Sequence, residues 1–221
     1  MPDRPKNSPK KPRTANQKAD GLKAAFDAIA IGRHSDPFSI LGVHKSGKGF
    51  IGRVFAPGAD TLEAFTLGGD AIGALERVHD SGIFEGPLAI KAFQPIRYHA
   101  KATHGDWSFA DPYSFGPVLG PMDDYYIAEG SHLRLFDKLG AHVMHHDGAD
   151  GVHFAVWAPN AERVSVVGSF NSWDGRRHAM RCRTETGIWE IFVPGVHAGE
   201  PYKYEIVGRG GGVMPLKADP F

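Results

Sequence analysis

Beyond about residue 40, apolar and polar positions alternate over short runs, the period of half-buried strands and not of helices. In `VHFAVWA`, Phe154 and Val156 fall on one face and His153, Ala155 and Trp157 on the other. The runs `RVSVVG`, `IWEIFVPG` and `YKYEIVG` are likewise alternating or short, rich in β-branched and aromatic residues, and bounded by Gly, Pro or Asn. Helical spacing is confined to two places. From Gln17 to Gly32, Leu22, Phe26 and Ile29 share one helical face, which predicts a short helix docked on the next domain and capped by Gly32. In `SHLRLFDKLGAH`, Leu133, Phe136 and Leu139 are spaced i, i+3, i+6, which predicts a Ser-capped helical turn.

The strand pattern occurs twice. `GRVFAPGADTLEAF` (52–65) parallels `FAVWAPNAERVSVV` (154–167), and the parallel continues through Gly82-Ile83-Phe84-Glu85 with Gly187-Ile188-Trp189-Glu190. It runs on through Gln94 to Tyr98 with Glu200 to Tyr204, and Ala110 to Tyr113 with Ala218 to Phe221. The offset grows only from 102 to 108 residues, the size of small loop insertions. Together these features predict an all-β chain of two tandem immunoglobulin-like β-sandwich domains with short linking helices. The Cys–Trp signature of antibody domains is missing, so only the architecture is implied. The expected division is a basic tail and short helix over 1–34, a first sandwich over 35–115, a linker with a short helix over 116–139, and a second sandwich over 140–221.

Composition narrows the partners. Lys plus Arg number 25 and Asp plus Glu 25, so no net field attracts nucleic acid or an acidic membrane, and a neutral ligand fits better. Residues 1–18 carry four prolines and six Lys or Arg with nothing large to bury, which predicts a disordered tail, a solvated leader or, less simply, a polybasic anchor. Cys182 is the one cysteine, no apolar run reaches about 18 residues, and no signal-peptide core follows the basic N-terminus. The expectation is a cytoplasmic protein.

Most chemical motifs reduce to structure. Asp123-Asp124 beside Tyr125-Tyr126 reads as a solvated acidic turn in the linker and not as the carboxyl pair of glycosyl chemistry. His142, His145 and His146 have zinc-like spacing but no cysteine or second ligand cluster near them, and `GRGGG` at Gly208–Gly212 lacks the Lys and context of a phosphate loop. No catalytic residue, metal site or cofactor is expected. The informative stretch is `VVGSFNSWDGRRHAM` (166–180), where Trp173 stands in a polar turn that can hardly bury it. An exposed indole suits the C–H face of a pyranose, with Asn and Lys groups bonding its hydroxyls; a Trp packed on a neighbouring loop or domain is the equal alternative.

`SDPFSILGVH` (35–44), `HLRLFDKLGAH` (132–142), `FAVWAPNAERVSVVGSFNSWDGRRHAM` (154–180), `GIWEIFVPG` (187–195), and `YKYEI` followed by `KADPF` (202–221) resemble the N-terminal part of bacterial glycogen branching enzymes. The resemblance implies that residues 140–221 are a carbohydrate-binding module and that the first copy is the extra module of longer branching enzymes. It implies α-glucan as ligand, whether glycogen or maltooligosaccharide, and a catalytic (β/α)₈ barrel as partner. The barrel carries the chemistry of that family, so this chain alone is expected to be inactive. By likeness Trp173 is the sugar-stacking residue, Lys203 bonds sugar, and Asn171 is a further contact in the same turn. Where a glycogen-binding kinase subunit has a second stacking Trp, this chain has `GRGGGV`. One buried aromatic contributes roughly 1.5–3 kcal/mol and millimolar affinity needs about 4, so isolated binding is expected to be no tighter than millimolar. Other readings are a stand-alone, non-catalytic glycogen-targeting module, or two protein-interaction modules without sugar affinity. Phe55 and Trp157, at matching positions of the two turns, are expected to dock on each other or on the barrel.

Overall fold

The computed structural model describes residues 15–221; the basic stretch before them lies outside the described residues. The chain is mostly β and two-domain. Strands β1 (Gly42–Ser46), β2 (Gly49–Phe55), β3 (Thr61–Thr66), β4 (Ala71–His79), β5 (Ile83–Leu88), β6 (Ile96–Ala102) and β7 (Gly105–Ala110) build the first unit. They form one antiparallel strip in the order β1-β2-β5-β4-β3-β6-β7. The strip folds over at β4, whose Ala71–Leu75 half pairs with β3 and whose Glu76–His79 half pairs with β5. Inward residues of both halves, including Val54, Phe84, Leu62 and Tyr98, meet in one core.

The second unit comprises β8 (Gly140–His146), β9 (Ala149–Trp157), β10 (Ala161–Gly168), β11 (Arg181–Arg183), β12 (Ile188–Pro194) and β13 (Tyr202–Gly208). A four-stranded sheet, β11-β12-β9-β8, faces a two-stranded one, β10-β13. Phe154, Val156, Trp189 and Ile191 from the first meet Val164, Val166 and Tyr204 from the second. The four-stranded sheet is covered on its other face as well, where Leu119 and Leu139 pack on Ala155 and Ile188. Burial on both faces explains why β12 reads as an almost unbroken apolar run.

The repeated aromatic-Ala-Pro turn has the same role in both units. Ala56 N–H donates to the Gly82 carbonyl at 2.8 Å, and Ala158 N–H to that of Gly187 at 3.0 Å. Gly82 and Gly187 have φ of +93° and +73°, and a Cβ on either would stand 2.7 Å or 2.6 Å from the turn proline. Each glycine thus closes the turn on the following strand. Gly187→Ala combines left-handed strain with overlap and is expected to lower stability by about 2–3 kcal/mol in urea unfolding.

Helix α1 (Ala15–Ala30) forms as its spacing predicts, and Phe26 and Ile29 pack with Leu41, Phe55, Ile83 and Tyr113. Gly32, at φ +65°, ends it: its N–H reaches the Ile29 carbonyl and that of Arg33 reaches Ala28, the paired bonds of a Schellman cap. The linker departs from expectation. Its helix is α2 (Pro121–Ala128), and `SHLRLFDKL` yields only a 3₁₀ turn over Leu135–Asp137. Leu133 and Phe136 are exposed, while Leu139 alone of the three is buried. Asp123 and Asp124 are not a free turn. Asp123 accepts the Gly120 N–H at 2.9 Å at the start of α2, and Asp124 clamps Arg183 of the second unit. Phe55 does not meet Trp157 either: it lies beneath α1, whereas Trp157 is 62% exposed with its Nε1 donating to the Thr186 carbonyl. No helix among the described residues is long and apolar enough to cross a membrane.

Candidate functional site

Strand β10 ends at Gly168, and the chain turns back through a 3₁₀ turn, Ser169–Asn171, before Trp173. Ser172 and Trp173 both adopt left-handed backbone, at φ +57° and +59°. For a bulky side chain this is strained, and it persists only where surrounding contacts impose it. Those contacts come from Asn171. Its Oδ1 accepts the Gly168 N–H at 3.0 Å, and its Nδ2 donates to the Val166 carbonyl at 2.9 Å and to His178 Nδ1 at 2.8 Å. Burial, with the Arg177 charge adding to it, pushes His178 down to about 3, so the imidazole is neutral and Nδ1 can accept. Asp174 locks the outer end of the turn through Arg176, at 2.8 and 2.9 Å. Its partial burial raises its pKa, but the Arg176 bonds and the charges of Arg176 and Arg177 outweigh that and lower it.

The result is an indole 43% exposed on a backbone fixed from below. Trp173 N–H donates to the Gly168 carbonyl at 2.9 Å. One residue back along β10, Val167 pairs with Lys203, so the register brings Trp173 and Lys203 to the same end of the two-stranded sheet. Lys203 is exposed and makes no ion pair among the described residues. Asn171 requires a correction. At 1% exposure, with both side-chain polar atoms engaged inside the protein, it holds the turn from below instead of standing beside Trp173 as an exposed contact.

The histidine motif is dispersed by strand geometry. His142 and His146 point to one side of β8 and His145 to the other, with His142 bonded to the Leu139 carbonyl and His145 to Asp150. No group of metal-ligating residues occurs among the described residues.

Residues 22–113 match the family described as alpha-1,4-glucan branching enzyme GlgB, N-terminal domain, and residues 138–221 match carbohydrate-binding module 48 (isoamylase N-terminal domain). The chain carries a GlgB N-terminal domain followed by a carbohydrate-binding module 48, an arrangement consistent with the N-terminal region of branching enzymes. It is 65% identical over 216 residues to the 1,4-alpha-glucan branching enzyme GlgB of Mesorhizobium japonicum, a match covering 96% of this chain and 29% of that protein. It is 66% identical over 194 residues to that of Rhizobium meliloti, covering 88% of this chain and 26% of the relative. The chain thus spans less than a third of the length of these branching enzymes. Trp173 and Lys203 both fall inside the carbohydrate-binding module. Trp107, which the sequence pattern did not single out, lies in the branching-enzyme N-terminal domain.

Proposed function

We propose that this chain is the glucan-binding accessory region of a 1,4-alpha-glucan branching enzyme of glycogen biosynthesis. The parent enzyme would transfer α-1,4-glucan segments to make α-1,6 branches, on a catalytic barrel outside this chain. The observation that carries the reading is Trp173: a large ring held half-exposed on strained backbone by a buried Asn171–His178 network, with Lys203, which makes no ion pair among the described residues, at the same sheet end. Stacking supplies a dry platform for the hydrocarbon face of glucose, and Lys203 supplies a donor for a hydroxyl. Both units are assigned an immunoglobulin-like topology. Its support is strand order: β8-β9-β12-β11 opposite β10-β13 follows the A-B-E-D and C-F pattern of such sandwiches, and β1-β2-β5-β4-β3-β6-β7 follows A-B-E-D-C-F-G.

Trp173→Ala is expected to abolish retardation of the chain in a native gel containing glycogen and to leave its thermal midpoint within a few degrees. Retardation unchanged by the substitution would remove Trp173 from the site. Weak single-platform binding is offset on a long polymer, where many glucose units are presented together.

A further inference from the structure

We infer that the cleft between the two units is a second glucan-binding site, floored by Trp107, Phe109 and Asp111 and distinct from the Trp173 platform. The inference rests on the glucan-binding reading of the chain. Pairing of β6 with β7 sets Trp107 opposite Ala100 and Phe109 opposite Tyr98, so both rings lie on the inner face of the first unit. The Asp111 N–H bonds the Ile96 carbonyl, which continues the row by one more strand repeat. Inner-face residues elsewhere on this sheet are sealed: Tyr98 and Ala100 are fully buried. Trp107, on the edge strand β7, is 37% exposed.

The inner end of this row packs within the first unit, with residues 54–57 beside the cleft, and its open side is bordered by the second unit. The cleft, about 680 Å³, is walled on that side by the Gly148–Asp150 hairpin, Phe170, Arg177 and His178. That volume is ordinary for a small-ligand site. At its base, Asp111 is 1% exposed; its Oδ1 accepts the Tyr113 N–H at 3.1 Å, but its Oδ2 is buried without a partner. A buried carboxyl oxygen lacking a bond is costly unless something in the cleft supplies one. Burial lifts Asp111 to about 7, so near neutrality it can hold a proton and offer a donor as readily as an acceptor. His178 on the facing wall is neutral, and Arg177 lies 3.8 Å from Asp174. The lining sets aromatic faces beside polar groups of both signs, Arg97 and Arg177 with Asp111 and Asp150, and neutral Ser108 and His178; this balanced mixture of donors and acceptors around rings suits a polyhydroxylated ligand. The 169–178 segment therefore presents Trp173 to one site while Phe170 and His178 line the other.

The four indole N–H signals of the 221-residue chain, assigned by single Trp→Phe variants, separate the possibilities during titration with maltoheptaose. Both Trp107 and Trp173 are expected to shift, and in Trp173→Ala the Trp107 shift persists. Trp107→Ala is expected to weaken the remaining binding about tenfold or more, with its folding checked by the unmoved signal of buried Trp189. A stationary Trp107 beside a shifting Trp173 overturns the second site and leaves the module's glucan binding intact. Loss of the Trp107 shift in Trp173→Ala also overturns it, as a change transmitted through the shared segment. No shift at either ring refutes the glucan-binding reading itself.

Discussion

Glu190→Ala is expected to destabilise the chain by about 3–5 kcal/mol, the largest effect of any single substitution considered. Glu190 sits in the middle of β12, 1% exposed. Its Oε2 accepts the N–H groups of Val118 and Leu119, each at 3.0 Å, and bonds His153 at 3.1 Å; its Oε1 takes Arg183 at 2.8 Å. Burial raises its pKa, but the His153 bond, the Leu119 N–H and the charges of His153 and Arg183 prevail and lower it. The folded carboxyl is thus more acidic than the unfolded one. Its contribution is full above the ordinary carboxylate range and is lost as pH falls through the lowered folded value. Truncation leaves two linker amides and the Arg183 guanidinium short of partners in a buried place. Urea unfolding of wild type and variant at pH 7 and pH 3 checks this: the difference should be large at pH 7 and shrink at pH 3. A difference under 1 kcal/mol at pH 7 would show that the linker is not held here.

Asp111→Asn is expected to act in the opposite sense and to stabilise the chain in alkaline solution. The Asp111 carboxyl is raised from 3.8 to about 7 by burial, against a smaller lowering from the Tyr113 N–H. Between those values the folded chain keeps a proton that the unfolded chain has released. Stability therefore falls as pH rises through this window and levels off above about 7. The window corresponds to roughly 4 kcal/mol. Asparagine retains an oxygen for the Tyr113 N–H but never ionises, so the variant should exceed wild type by about 2–4 kcal/mol at pH 8. The two should converge at pH 4. Unfolding midpoints at pH 4, 6 and 8 test it, and a variant no more stable than wild type at pH 8 would mean that Asp111 ionises without cost.

The strands and the duplication were legible because their determinants are local. The Ala-Pro turn, the glycine that closes it and the alternation of `VHFAVWA` each act within a few residues of where they are read. Helix α2 was not legible. It buries no residue and has no apolar stripe; Pro121 at its start and Asp123 reaching back to Gly120 define it. The `SHLRLFDKL` spacing misled because only one of its three marked apolar groups finds a surface to cover. Glu190 carried a usable signal, a single acid inside an apolar run, which marks a buried charge needing partners. Trp173 was visible as a ring in a polar turn, whereas the burial of Asn171 beneath it depends on the loop folding back over β10. The row of Trp107, Phe109 and Asp111 looks like any edge strand until the second unit is seen to wall the cleft beside it.

The phenol of Tyr113 accepts the Ala179 N–H at 3.0 Å and donates to the Arg177 carbonyl at 3.1 Å, so the end of the first unit braces the returning limb of the Trp173 segment. Clipping the chain just after Tyr113 would therefore do more than shorten it. The Trp173 turn would lose an outside strut, and the proposed platform would loosen even though Trp173 and Lys203 were still present.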